Sequence, residues 1–164
     1  MHGAVLQDKA GRVLRPSILR NGSRSHAEAA QLDANPIVRN LSGNIVFPGF
    51  TAPKLMWVRT HEPDIFAAAT KVLLPKDYLN FWLTGRYWTE MSDAACGVGA
   101  LCEGQGFVSL GTSGVLLAAR DSFAPMPASA VHTFCHAIPG TWYQMGVILA
   151  ATDSLNWLGN VPEA

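Results

Sequence analysis

The first half of the chain alternates between short strand-like and helix-like patterns of apolar residues. Apolar runs at 5–6 and 13–19 flank a polar stretch that contains Gly11, which predicts a β-hairpin with this glycine in its turn. A short strand is predicted over 71–74. The stretch 40–50, rich in Gly, Asn and Pro, is predicted to be irregular. Helical spacing with suitable start or stop residues predicts four helices: 26–32, 51–58 capped by Thr51, 64–70, and 75–83 ended by Gly85.

The second half of the chain is dominated by strand patterns. Glycines concentrated between residues 94 and 106 indicate a boundary between two parts of the protein. The sum of the predicted elements is an α/β fold, mixed rather than a regular parallel alternation. The elements predicted here are two strands within 107–119 around a glycine turn, two more over 131–138 and 142–148 joined by Pro139-Gly140, and a helix over 150–158.

Composition and charge exclude several classes of function. The chain has 164 residues, with 12 basic and 12 acidic side chains, and its 49% hydrophobic content is enough for a core. Because phosphate backbones require clustered Lys and Arg, this neutrality argues against nucleic-acid binding. The longest apolar stretch, 147–151, is too short to cross a bilayer, and no hydrophobic leader opens the chain. Cys96, Cys102 and Cys135 lack Cys-x-x-Cys spacing, which favours free thiols in a reducing compartment. We therefore expect a cytoplasmic protein without membrane insertion.

The segment 109–115, Ser-Leu-Gly-Thr-Ser-Gly-Val, carries the strongest chemical signal. Gly111 and Gly114 bracket the hydroxyl residues Thr112 and Ser113 between two apolar strand patterns. Glycine admits positive φ and lets another group approach the backbone, and successive N–H groups with flanking hydroxyls form a concave anion site. The loop therefore fits a phosphate group. Such clusters also close ordinary hairpins, and this segment alone leaves that alternative open.

Several segments match one known pattern in the same order along the chain. The longest is GFTAPKLMWVRTH at 49–61, and the others are Met1-His2-Gly3, LLPKDYL at 73–79, Thr84-Gly85, MSDAA at 91–95, the glycine turn at 109–115, and VHTFCHA at 131–137. Together they resemble the FGGY family of carbohydrate kinases, and within it the xylulokinases. The Met-His-Gly turn resembles the sugar-binding turn of that family, and the glycine turn is similar to its second phosphate loop.

This resemblance implies an actin/hexokinase-type ATPase fold, with two ribonuclease-H-like domains and the site in the cleft. Residues 1–95 would belong to the N-terminal, sugar-side domain, and 96–164 would open the C-terminal domain. The implied reaction is the ATP-dependent phosphorylation of D-xylulose to D-xylulose 5-phosphate, with Mg²⁺ neutralising charge on the nucleotide. The implied contacts are Met1 and His2 with the sugar, and Gly111, Thr112 and Ser113 with ATP phosphates.

The chain also departs from the family pattern. In the family, a phosphate loop with an aspartate precedes the Met-His-Gly turn, whereas here Met1 is the first residue. The chain stops at Ala164, before the region that binds adenosine in the family. Gly22 stands where the family has Asp, which weakens an expected polar contact near the sugar. Residues 91–95 run directly into 96–100, which resembles the stretch just after the family's catalytic aspartate. We therefore expect a truncated and internally deleted kinase.

Asp93, at this junction, is the candidate for the missing general base, because phosphoryl transfer needs a carboxylate to receive the hydroxyl proton. Its position in the upstream Ser-Asp-Ala-Ala motif favours a structural role instead. Three hypotheses follow: an active sugar kinase, an inactive fragment of one, and a non-catalytic interaction module. The missing loop and base favour the inactive fragment, since positioning dominates this chemistry. A deletion would also expose apolar faces, which predicts self-association.

Other patterns have simpler interpretations. His132 and His136, with Cys135 between them, could face one side of a strand and hold a metal, but no second pair completes the four ligands that zinc prefers. Lys54 and Trp57 could touch a ligand, although packing and a surface charge are the favoured interpretation. The pairs His61-Glu62 and Lys76-Asp77 are interpreted as helix-end charges rather than acid/base pairs.

Overall fold

The structure is a computed structural model that describes residues 2–89, 99–100, 102–111, 113–148 and 150–159. The chain divides into two compact units. Unit 1 comprises Met1–Leu41 and Ile45–Thr89, and unit 2 comprises Ser42–Asn44 and Glu90–Ala164. The domain boundary predicted at 95/96 lies outside the described residues and stays a prediction.

Unit 1 is mainly helical and holds a small two-stranded sheet. Strands β1 and β2 pair antiparallel, with Val5 opposite Leu73 and Gln7 opposite Lys71. Its apolar core joins β1 to α3 through Ala4, Leu6 and Val58. The elements are β1 (Val5–Gln7), α1 (His26–Asp33), α2 (Pro36–Ser42), α3 (Thr51–His61), α4 (Pro63–Ala68), β2 (Lys71–Leu73) and α5 (Pro75–Thr84).

The predicted hairpin between 5–6 and 13–19 is wrong as a strand pair. The second stretch forms only two isolated bridges, in which Ile18 pairs with Ala4 and Val13 pairs with Gln7. Pro16 lies between them and has no N–H to donate to a ladder, so a continuous strand cannot form there. Gly11 does occupy the intervening turn with a positive φ of 79°.

Two helix starts also differ from the prediction. Helix α2 was not predicted, and its end falls in the stretch expected to be irregular. It starts where the Ile37 N–H donates to the side-chain oxygen of Asn35 at 2.9 Å, with Pro36 as the first helical residue. In α3 the N-cap is Phe50 rather than Thr51, and no side chain caps this end. The helix predicted over 75–83 is confirmed, with Gly85 in the left-handed conformation at its end.

Unit 2 is built on a four-stranded antiparallel sheet in the order β3-β4-β6-β5, which confirms the four strands predicted from the sequence. Its core is formed by Ala100, Leu117 and Tyr143, with Phe107 and Phe134 packed against them. No helix in the described part of the chain is both long and apolar enough to cross a membrane. The elements are β3 (Gly106–Leu110), β4 (Gly114–Arg120), β5 (His132–Cys135), β6 (Trp142–Ile148) and α6 (Thr152–Gly159), with a short 3-10 helix over Pro127–Ser129.

Candidate functional site

The turn predicted to contact a sugar is packed tightly into unit 1. A Cβ at Gly3 would lie 2.5 Å from Cγ of Pro75, the first residue of α5, so only glycine fits at this position. The Thr51 hydroxyl donates to the Gly3 carbonyl oxygen at 3.4 Å, and the ring of His2 lies 4.9 Å from that of Phe50. The turn is thus held between the starts of α3 and α5. Met1 lies outside the described residues.

Lys54 is fully buried, which corrects its interpretation as a surface charge. Its ammonium donates to the carbonyl oxygens of His2 at 2.9 Å and Phe50 at 3.2 Å, and also to that of Gly49. Side chains in a helix lean toward its N-terminus, which explains how Lys54 reaches carbonyls four and five residues earlier. Burial lowers the pKa of Lys54 to about 8.

A second polar cluster lies beside this turn. Thr51 also lines a cavity of about 340 Å³, together with Asp77, Trp88 and Thr89. The Asp77 carboxylate is almost fully buried and accepts hydrogen bonds from the ammonium of Lys76 at 2.8 Å and the hydroxyl of Thr89 at 3.1 Å. The cavity is near the lower end of the size range of small-molecule sites. Sequence reasoning missed Asp77 as a buried group because the Lys-Asp pair had the pattern of exposed helix-end charges.

The other predicted pair, His61-Glu62, forms structural contacts at the end of α3. The His61 ring stacks on Trp57 with centroids 4.6 Å apart, and the guanidinium of Arg24 lies 5.0 Å from the centroid of the Trp57 ring. Glu62 forms an ion pair with Arg15 at 2.6 Å. Trp57 is therefore engaged by two neighbouring side chains of unit 1.

The glycine turn of unit 2 is a three-residue connection between β3 and β4, because Leu110 and Gly114 are register partners. The Gly111 N–H donates to the Ser113 carbonyl oxygen at 3.0 Å. The Gly111 carbonyl oxygen accepts from Thr152 at the start of α6, through the backbone N–H at 3.2 Å and the hydroxyl at 2.6 Å. The N-terminal end of a helix therefore adjoins the loop. Thr112 lies outside the described residues.

Neither glycine of this loop has a positive φ, and the two differ in the space available for a side chain. A Cβ at Gly114 would lie 3.1 Å from the Cβ of Ala151, a contact tighter than normal packing allows. A Cβ at Gly111 would meet only the Ser113 carbonyl oxygen among the described atoms, at an ordinary 3.7 Å. Packing in unit 2 therefore disfavours a side chain at Gly114, whereas no described atom disfavours one at Gly111.

The His132-Cys135-His136 pattern does not form a metal site. His136 is fully buried, and both of its ring nitrogens have backbone partners: Nδ1 accepts from the Ile138 N–H at 3.1 Å, and Nε2 faces the Ala100 carbonyl oxygen at 3.0 Å. The proton must therefore sit on Nε2, which leaves no ring lone pair for a metal. Burial lowers the pKa of His132. Among the residues that the structure describes, no three metal-ligating side chains come together.

Asp93, the candidate general base, lies outside the described residues, and its role stays a prediction. The candidate residues that the structure describes are His2 in the turn of unit 1, and Gly111 and Ser113 in the glycine loop of unit 2.

Solved structures with a similar fold define the class of protein. A xyloylose kinase from Brucella ovis is 45% identical with a TM-score of 0.91, and the match covers 96% of this chain and 46% of that one. A xylulose kinase from Rhodospirillum rubrum, at 22% identity, matches with a TM-score of 0.82 over 96% of this chain and 46% of that one. The predicted actin/hexokinase-type ATPase fold is confirmed.

The family follows from the sequence comparison. Residues 1–98 match the N-terminal domain of the FGGY family of carbohydrate kinases. Xylulose kinase from Escherichia coli strain K12 is 37% identical, and the match covers 99% of this chain and 49% of that protein. This chain belongs to the FGGY family of carbohydrate kinases.

The chain spans about half the length of the curated relatives that it matches. The match to the Escherichia coli protein runs over 235 positions against the 164 residues of this chain, which leaves at least 71 positions of that relative without a counterpart. Because nearly the whole chain is matched, these positions fall inside the matched region, as expected for an internal deletion.

The two loop glycines predict opposite effects of alanine on stability. Gly114→Ala should lower the free energy of unfolding by about 1–3 kcal/mol, because the added methyl overpacks against Ala151. Gly111→Ala should leave it unchanged or slightly higher, since the methyl fits and restricts the unfolded chain. Chemical denaturation followed by circular dichroism measures both. Equal destabilisation by the two substitutions would contradict this account of the loop.

Lys54 predicts a pH-dependent stability. Its pKa is about 8 in the folded chain against 10.5 as the reference value, so the unfolded chain binds more protons between these pH values. The free energy of unfolding of the wild type should therefore rise with pH from about 8 to 10.5, relative to Lys54→Met, by up to about 3 kcal/mol. Denaturation of both proteins at several pH values tests this, because the pair shares every other titrating group. A constant difference between them would refute it.

Proposed function

We propose that this chain derives from a xylulose kinase, in which ATP phosphorylates the terminal hydroxyl of D-xylulose to give D-xylulose 5-phosphate. It retains a sugar-side turn and a phosphate loop, and it binds these ligands weakly without measurable turnover. The observation that carries the proposal is Gly111, a glycine that the described fold does not require, in a loop at the start of a helix. Close approach of a ligand to the backbone is one reason for a glycine that packing does not require.

The loop has the chemistry of a phosphate site. The hydroxyls of Thr112 and Ser113 would supply donors, and the positive end of the α6 dipole adjoins the loop through Thr152. Mg²⁺ fits this arrangement as a companion of the nucleotide, since it commonly keeps several waters and binds substrate phosphates. When bound, it would neutralise phosphate charge. The residues that the structure describes offer no separate cluster of ligands for it.

The sugar side has polar groups suited to hydroxyls. His2 would hydrogen-bond a sugar hydroxyl, with Met1 against the same ligand. The neighbouring cavity adds the hydroxyls of Thr51 and Thr89 and the buried Asp77 carboxylate. These groups can orient a polyol without performing chemistry on it.

Turnover requires more than this. A carboxylate must lie within hydrogen-bond reach of the hydroxyl proton, and transfer requires the attacking and leaving oxygens to be roughly in line. We assign Asp93 a structural role, so the general base is lacking. The exposed free thiols of Cys102 and Cys135 are consistent with the reducing cytoplasm, where we place the protein.

Nucleotide binding can be tested on the full chain by thermal unfolding. We expect ATP with Mg²⁺, at about ten times an assumed millimolar Kd, to stabilise the wild type by about 1.4 kcal/mol. Gly111→Ala should lose this stabilisation while keeping its own unfolding temperature. Wild type without any shift, or a variant with the same shift, would contradict the phosphate-loop assignment.

Turnover is tested by a coupled assay of ADP release with D-xylulose and ATP. The wild type should give no rate above background, and Asp93→Asn should not differ from it. A clear wild-type rate that Asp93→Asn removes would instead show an active kinase whose base is Asp93.

We also propose that the chain associates with itself through one face of the unit 2 sheet. Four apolar side chains are exposed there: Val108 at 61%, Leu110 at 71%, Leu116 at 59% and Ile148 at 65%. They are contiguous, because Val108 lies opposite Leu116, and Leu110 and Ile148 flank Gly114. Exposed apolar patches of this kind mark interaction sites, and the zero net charge of the chain does not oppose contact between copies.

Sedimentation velocity at several protein concentrations tests this association. Leu116→Lys should contain more monomer than the wild type, because a charge at the centre of the patch would be desolvated on contact. Leu19→Lys, at an exposed leucine of unit 1, is the matched control and should leave the distribution unchanged. Monomeric wild type at all concentrations would refute the proposal.

A further inference from the structure

Lys54 joins two backbone segments through one ammonium group. Its three N–H donors are matched by three carbonyl oxygens, those of Gly49, Phe50 and His2. Two of these acceptors immediately precede α3, and the third lies 52 residues away in the sugar-side turn. Every donor of the buried cation is thereby satisfied by the main chain.

This placement is unfavourable for the stability of the fold. An ammonium loses its hydration on burial, and within the described part of the chain Lys54 has no carboxylate partner to compensate. It also lies in the first turns of α3, where the positive end of the helix dipole disfavours a cation. A methionine would fill a similar volume without either penalty. Stability therefore does not explain a lysine at this position.

We infer that Lys54 is a positioning residue that fixes the His2-Gly3 turn against the start of α3 and so sets the place of the His2 imidazole. Two further contacts act on the same turn: the Thr51 hydroxyl on the Gly3 carbonyl, and the Phe50 ring beside that of His2. The inference deepens the proposed function, in which His2 contacts the sugar. A lysine suits this task because its three donors rotate about a single point, whereas an arginine presents a rigid planar fork.

The test uses the full chain and two substitutions in the same helix. Lys54→Met removes the ammonium, and Val58→Ala, at a fully buried core position one turn later, lowers stability without touching the turn. Nuclear magnetic resonance of the His2 ring reports its surroundings, and titration with D-xylulose gives the affinity. Lys54→Met should displace the His2 ring signals and weaken D-xylulose binding by about tenfold or more, the effect of one lost charged hydrogen bond. Val58→Ala should lower the unfolding temperature and leave both readouts unchanged.

The outcomes separate the inference from the proposed function. Unchanged His2 signals in folded Lys54→Met would overturn the positioning role. If the His2 signals are displaced in Lys54→Met but the wild type binds no D-xylulose, the positioning role is supported and the sugar role of His2 is refuted. If Lys54→Met does not fold, Lys54→Gln replaces it, because its uncharged amide is one atom closer to the backbone and has two N–H donors, too few to bind all three carbonyls. Folded Lys54→Gln with His2 signals identical to wild type would then overturn the inference.

Discussion

The interaction on which the arrangement around the His2-Gly3 turn depends is a set of hydrogen bonds from the buried ammonium of Lys54 to three main-chain carbonyls. Hydrogen bonds to a charged group contribute about 1.5–3 kcal/mol each, which offsets only part of the loss of hydration that a buried cation suffers. Because one acceptor belongs to His2, these bonds link the start of α3 to a segment 52 residues earlier. The turn, the helix start and the neighbouring cavity are consequently parts of one arrangement.

The corresponding constraint in unit 2 is strand register. Once Leu110 faces Gly114 in the β3-β4 ladder, only three residues remain to connect the strands. Thr152 then ties the loop carbonyl of Gly111 to the start of α6. The strand register and Thr152 thus fix the loop from both sides. The two glycines differ in their surroundings, because a Cβ at Gly114 would crowd Ala151 whereas a Cβ at Gly111 has room.

The sequence was sufficient where structure is local. The strands of unit 2 follow from apolar runs separated by glycine turns, and α5 follows from its proline start and Gly85 end. It was insufficient where partners are distant. The pairing of β1 with β2 joins residues more than 60 positions apart. The apolar run at 13–19 predicted a nearer strand partner instead, although Pro16 interrupts that run. The burial of Lys54 was missed for the same reason, since no local pattern shows that a carbonyl from His2 completes its surroundings.

Ligand binding and turnover require different features of the structure, so an internal deletion can remove turnover and leave binding. A turn and a loop can each hold a ligand through contacts within their own unit, as the hydrogen bonds of Lys54 and Gly111 illustrate. Phosphoryl transfer also requires the acceptor hydroxyl, a base and the γ-phosphate to be aligned within fractions of an ångström. At least 71 positions of the Escherichia coli relative have no counterpart here, so groups at those positions cannot contribute to alignment. In the function that we propose, ligand binding is therefore retained and catalysis is lost. Each unit can bind a ligand through its own contacts, whereas catalysis requires all the reacting groups to be aligned together.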